Sequence, residues 1–310
     1  MRVVVSGGTG FIGRALVASL TERGDDVAVL SRGKIGGHLG PRPGCCRGAG
    51  KVELASWTPE LEGEWTRVVD GADAVIHLAG AGIFDERWTA QRKEILRSSR
   101  IRSTELLAGA IARAKKKPRV FVSGSAVGYY GTSTGDRELV EDEPAGKDFL
   151  ATLTRDWEAA ASAAREAGVR VAHPRIGLVL GRGGGMLAKL VPVFRAYVGG
   201  PVGSGAQYMP WIHLADTVRA IEHAVDGTLE GAFNVTAPDP VTNEAFSRAL
   251  GRALGRPAIM RVPEAAVKLA FGAGAEVVLT GQRAVPQKLS RAGFDFVFPE
   301  LASALADLVA

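Results

Sequence analysis

Residues Ser6-Gly7-Gly8-Thr9-Gly10-Phe11-Ile12-Gly13 constrain this chain more than any other segment. They follow Arg2–Ser6, a β-branched apolar run that reads as a buried strand. They open Phe11–Arg23, where Ile12, Leu16 and Leu20 share one helical face. Glycine at every third position between a strand and a helix reads as a pyrophosphate cradle. Gly7 makes the tight turn, Gly10 admits close approach of backbone, and Gly13 lets the helix lie against the sheet. Thr9, Phe11 and Ile12 complete the cradle, since the first helical N–H groups have no partner within the helix and suit phosphate oxygens. No Gly-Lys-Ser/Thr follows, which excludes a P-loop.

Strand and helix patterns then alternate. Asp26–Leu30, Ala74–Leu78, Val120–Ser123 and Val169–His173 read as strands, and Phe233–Val235 as one more. Helical stretches lie near Trp65–Val69, Trp88–Ala114, Asp148–Ala167 and within Ile212–Asp226. The alternation predicts an α/β fold, a Rossmann-type doubly wound parallel sheet. After Arg175, the glycine loops Gly181–Gly185 and Gly199–Gly205 and the helices Thr242–Leu254 and Pro263–Phe271 predict a smaller C-terminal, substrate-side lobe. We assign residues 1–175, with about 211–236, to the nucleotide domain, and about 176–210 with 237–310 to the lobe. Gly33–Gly50 is expected to be a mobile loop.

The end of the second strand decides which dinucleotide is expected. An NAD site places a carboxylate there for the ribose hydroxyls. Here Ser31-Arg32-Gly33-Lys34 follows, without an acid. A guanidinium at Arg32, helped by Ser31, suits a 2′-phosphate, so NADP(H) is expected rather than NAD(H).

Composition narrows the classes further. Forty glycines in 310 residues are about twice the usual share. They fall in loops without a three-residue period, as backbone approaching a ligand would require. No apolar run reaches the ~18 residues of a spanning helix, and the apolar N-terminus is too short for a signal peptide. The net charge of +5 is scattered except at Lys115–Lys117, so neither nucleic acid nor a membrane is an expected partner. Adjacent Cys45 and Cys46, with no CxxC, fit a reducing cytoplasm. Five dispersed histidines give no metal-ligand spacing, and no Gly-x-Ser-x-Gly elbow points to a hydrolase.

These residues resemble the extended short-chain dehydrogenases/reductases of the NAD-dependent epimerase/dehydratase superfamily, and most of all its atypical, sugar-epimerase-like branch. The likeness spans nearly the whole chain. His77-Leu78-Ala79-Gly80 resembles the stretch that lines adenine and ribose, which implies cofactor contacts at Leu78, Ala79 and Gly80. Ser123-Gly124-Ser125-Ala126-Val127-Gly128-Tyr129-Tyr130-Gly131 resembles the segment carrying the catalytic serine, with Ser123 and Gly124 beside the cofactor. Pro174-Arg175-Ile176-Gly177 is similar to the strand–loop next to the nicotinamide. The run Gly203 to Asp216, with Gln207, Trp211 and His213, matches the atypical branch most specifically. Gly281–Leu289 is similar to that branch's C-terminal domain. The likeness implies an oxidoreductase or epimerase acting on a small hydroxyl or carbonyl compound, and a homodimer as in many extended members.

One departure bears on mechanism. The family's Tyr-x-x-x-Lys is absent, and Leu153 and Trp157 fall at those places. Neither moves a proton. Ser125 is then the candidate for holding a substrate oxygen, or else a turn serine. Tyr129 or Tyr130 is the candidate replacement phenol, or else packing. Arg100, on the long helix behind the nicotinamide side, and Arg175 are candidate cofactor contacts. Gln207, Trp211 and His213 are candidate substrate contacts. The rival reading is a protein that binds NADP(H) without turnover, as a redox sensor.

Overall fold

The computed structural model describes residues 1–33, 39, 48–132 and 134–309. The loop expected over Gly33–Gly50, with Cys45 and Cys46, therefore lies largely outside the described residues. The main sheet uses β1 (Arg2–Ser6), β2 (Asp26–Ser31), β3 (Val52–Ser56), β4 (Ala74–His77), β5 (Val120–Ser123) and β6 (Arg170–Ile176). β7 (Leu178–Gly181) and β8 (Trp211–His213) pair with each other outside it. β9 (Gly231–Val235) returns to its edge. The order is β9-β6-β5-β4-β1-β2-β3, and every pair is parallel. The connection reverses direction between β1 and β4. In such sheets ligands bind at that switch point, beyond the carboxyl ends of the strands.

Alternation along the buried strands sorts side chains to two faces. Val3, Val5, Val27, Val29 and Ile76 meet α1 (Phe11–Glu22) on one side. Val4, Ala28, Val75 and Phe121 meet α2 (Ala90–Arg113) on the other. The lobe has its own core, in which Trp211, Phe194, Phe246 and Leu305 join β8, α4 (Gly185–Arg195), α6 (Asn243–Leu254) and α7 (Leu301–Val309). α5 (Leu214–Asp226) leads from β8 back to β9. Two buried carboxylates fasten the C-terminal segment. Glu141 accepts the N–H groups of Asn234 and Lys288, and Asp216 accepts those of Val297 and Phe298. No helix among the described residues is long and apolar enough to cross a membrane.

Three elements differ from the sequence reading. β3 was not expected. It is an edge strand with Glu53 and Leu54 exposed, so it lacks the apolar run of a buried strand. The single helix expected over Asp148–Ala167 is two, α3 (Phe149–Ala159) and a short turn Ser162–Glu166, with fully buried Ala161 at the break. β6 runs past His173 to Ile176 through Pro174.

Candidate functional site

The glycine turn is built as its spacing predicts. Gly7 has φ +75°, and a Cβ on it would stand 2.6 Å from the Leu78 carbonyl carbon. A Cβ on Gly13 would fall into the Gly7 carbonyl oxygen. Gly10 caps α1 without a side-chain bond and donates its own N–H to Gly7 O at 2.9 Å. Arg14 N–H is the first to bond back into the helix, at Gly10 O, and the N–H groups of Phe11, Ile12 and Gly13 have no partner among the described residues. Thr9 O accepts from the Arg14 guanidinium at 2.9 Å. The Phe11 ring lies against Gly181, Gly184 and Gly185; a Cβ on Gly185 would come within 3.1 Å of it. The second glycine cluster is thus a seat for Phe11, a role its sequence did not reveal.

At the end of β2, Ser31 Oγ donates to Gly33 O at 3.0 Å and Arg32 stands exposed beside it. At the end of β4, His77 is sealed between Ser6 and Ser103. Ser103 gives its proton to Ser99 O, so His77 Nε2–H donates to Ser103 Oγ (3.0 Å) and Ser6 donates to Nδ1 (2.5 Å). Burial, with the Arg100 charge adding to it, pushes this imidazole down to about 3. Leu78 backs Gly7, while Ala79 and Gly80 follow it over the ends of the strands.

Arg100 corrects its expectation. Its guanidinium donates to Leu96 O (3.1 Å) and Ala81 O (3.0 Å) and lies 5.3 Å over the Trp157 ring. It props the Gly80–Ala81 turn from behind, and its buried side chain is turned to that task rather than to a ligand.

Past β5 the Ser123 hydroxyl is buried without a partner among the described residues, and Gly124 makes room for Trp157. Ser125 Oγ donates to Glu158 Oε1 at 2.6 Å. Glu158, on α3, also holds Arg175 through two bonds of 2.8 and 3.0 Å. Arg175 Nη1 donates to Tyr130 OH (3.1 Å) and Glu141 O (3.0 Å), and Tyr130 OH donates to Asn234 Oδ1 at 2.7 Å. The Tyr129 ring lies 3.4 Å from the guanidinium carbon.

This network corrects two expectations. Arg175 is buried with its donors committed inside the protein, so it does not reach for a phosphate; bonds to Glu158 hold its pKa up against burial. Tyr130 OH is committed to Asn234 and Arg175 within this network. Burial outweighs Arg175 and raises its phenol to about 12. Tyr129, half-buried, and Ser125 remain at the strand ends. Glu158, which sequence reasoning missed, is the hub of the network. It follows buried Trp157 on α3, with its side chain turned toward Ser125 and Arg175.

The substrate-side candidates divide. Trp211 is fully buried in the lobe core and donates to Asp239 O, and His213 caps α5 and stacks on Phe298. His213 Nδ1 accepts from Ala215 N–H, while its Nε2, 3.4 Å from Asp307, is buried without a hydrogen-bond partner among the described residues. Gln207 Nε2 bridges Val202 O and Val278 O, while its Oε1 is buried without a partner among the described residues.

A parallel sheet in this order, with an uncapped glycine turn at its switch point, defines a Rossmann-type α/β protein. The chain belongs to the NAD dependent epimerase/dehydratase family, whose model matches residues 3–236. A domain of unknown function, DUF1731, matches residues 262–308. An epimerase family protein of Mycobacterium bovis is 41% identical over 306 residues, covering 98% of this chain and 96% of that one. The crystal structure of human epimerase family protein SDR39U1 (isoform 2) with NADPH superposes with a TM-score of 0.85 at 36% identity, over 100% of this chain and 99% of that one. The nucleoside-diphosphate sugar epimerase from Corynebacterium glutamicum gives 0.78 at 32% identity, over 100% of this chain and 58% of that one. The family resemblance drawn from the sequence holds.

Proposed function

We propose that this chain holds NADP(H) across the carboxyl ends of β1, β2, β4 and β5, and acts as an oxidoreductase or epimerase-like enzyme on a small, sugar-like hydroxyl or carbonyl compound. The observation that carries the reading is the cradle. Three N–H groups at Phe11, Ile12 and Gly13, without a partner among the described residues, sit where glycines leave room, which fits a pyrophosphate. Exposed Arg32, with Ser31, is the group for a 2′-phosphate, and the NADPH held by the human relative supports that choice over NAD(H). Leu78, Ala79, Gly80, Ser123 and Gly124 would line the remainder.

When bound, the nicotinamide supplies hydride exchange with a carbinol carbon. The chain supplies position and polarity. Because Glu158 takes the Ser125 proton, Ser125 Oγ turns lone pairs outward and receives a substrate hydroxyl. Tyr129, with its ring fixed on Arg175, borders the same space. A second reading, binding without turnover, is favoured by one observation: Tyr130 is locked and no Tyr-x-x-x-Lys exists. The partner in either reading is a small molecule rather than nucleic acid. A homodimer in the cytoplasm remains the expectation.

Calorimetry with NADPH, NADP⁺, NADH and NAD⁺ on wild type and Arg32→Ala tests the cofactor. Tight NADP(H) binding lost in Arg32→Ala is expected, and no binding of any dinucleotide overturns both readings. A hydride-transfer screen with Ser125→Ala then separates enzyme from sensor.

A further inference from the structure

We propose that the face formed by the end of α4 and the segment after α6 docks on an anionic phospholipid surface. Residues 193–203 and 256–262 lie side by side. Met260 N–H donates to Gly199 O (3.3 Å), Val262 N–H to Pro201 O (2.8 Å) and Gly203 N–H to Val262 O (2.9 Å). The Arg256 guanidinium lies 4.7 Å over the Tyr197 ring. Apolar side chains point outward from this ribbon: Ile259 is 78% exposed, Tyr197 57%, Met260 52% and Val198 51%, with Val193 beside them. Nearly half of the large hydrophobic residues exposed among the described residues gather here. Such a concentration marks an interaction site.

Charge decides what covers it. From Gly183 to Gly203 the chain carries Lys189 and Arg195 and no acid. From Ala245 to Pro263 it carries Arg248, Arg252, Arg256 and Arg261 and no acid. Glu244 takes up Arg248 and Arg261, while Arg195, Arg252 and Arg256 form no ion pair among the described residues. A second copy across a two-fold axis would set these arginines against their own images, which like-charge repulsion opposes. The covering surface is therefore anionic. Side chains exposed by half or more are protruding tips rather than the lining of a groove. Such tips, with Arg256 over Tyr197 and Arg195 and Arg252 in the last turns of the flanking helices, suit a headgroup layer, where apolar groups reach the acyl boundary and guanidiniums meet phosphates. Scattered charge in the sequence argued against a membrane partner; the fold instead gathers arginines from α4 and from α6 and its following segment around one apolar ribbon, which suits attachment from outside.

Flotation of the whole chain with NADPH tests the proposal, using vesicles of phosphatidylcholine alone and of phosphatidylcholine mixed with phosphatidylglycerol. The chain is expected to float with the mixed vesicles only, and less as salt is added. Arg195→Ala and Arg252→Ala each weaken partitioning about fivefold. Ile259→Asp with Met260→Asp abolishes it; these positions are exposed, and an unchanged melting curve and NADPH titration show the fold intact. Absence from mixed vesicles, equal binding to neutral ones, or partitioning untouched by the double variant overturns the proposal. So does a patch that captures an acidic protein but no vesicle. None of these outcomes bears on the cofactor reading, which the titration reports separately.

Discussion

Acid should unfold this protein through two histidines buried without charge. Burial, reinforced by Arg100, lowers His77 to about 3. Burial, against the opposing pull of Glu158, lowers His173 to about 4. Unfolded, both return to about 6.5. Below that value the unfolded chain binds more protons than the folded one, so stability falls as pH falls from about 6.5 toward the folded values. At about pH 5 the unfolded imidazoles are almost fully charged and the folded ones almost fully neutral. Each then costs about 2 kcal/mol, or about 4 kcal/mol together, against a few tenths near neutrality. That is a large part of a typical domain's stability. Urea unfolding followed by tryptophan fluorescence at about pH 7 and about pH 5 gives the difference. Glu222, whose pKa burial raises, titrates with the opposite sign, so the same pair of measurements is made on His77→Asn/His173→Asn. The acid loss should shrink there by most of that amount. A loss below about 1 kcal/mol in wild type, or an equal loss in the variant, refutes the reasoning.

Other perturbations test the site. Gly184→Ala drives a Cβ into the Phe11 ring and should lower stability by about 1–3 kcal/mol and weaken NADPH binding; Phe11→Leu in the same chain should restore both, measured by melting and titration. Arg175→Met leaves the half-buried Glu158 without its arginine and should cost about 2–4 kcal/mol, much of it recovered by adding Glu158→Leu; a single variant as stable as wild type would contradict the pairing. Tyr130→Phe should cost about 1–3 kcal/mol by stranding Asn234 Oδ1, with NADPH affinity unchanged. Lost affinity with an unchanged melting point would reassign that phenol to the ligand.

The sequence was most legible where a residue type has a single geometric use. Gly7 and Gly13 could be placed because a side chain at either obstructs the turn, Gly10 because one there crowds Gly7 O and the ligand's approach, and β1 and α1 followed from their flanks. Polar residues at strand ends were less legible. Arg175 looks the same in sequence whether it faces a ligand or a carboxylate on α3, and only packing shows that Glu158 claims it. His213 and Trp211 were hard to place for a related reason. Trp211 Nε1 is bonded to Asp239 O and the His213 ring stacks on Phe298, contacts with residues far along the chain that no local pattern reveals. β3 escaped because an edge strand needs little apolar surface, and the Gly181–Gly185 cluster because its partner, Phe11, is remote in sequence.

The two carboxylates that fasten the C-terminal segment also set an order of events. Glu141 waits for the N–H of Lys288, 147 residues later, and Asp216 for that of Val297, 81 residues later. On a growing chain every strand of the main sheet is synthesised before either partner exists. Until then both groups stay hydrated, and the edge of the sheet near β9 has no means of closing over them. These long-range contacts place a slow step at the end of folding. A stretch of chain made after the whole main sheet is the one that turns a loosely closed sheet into a finished one.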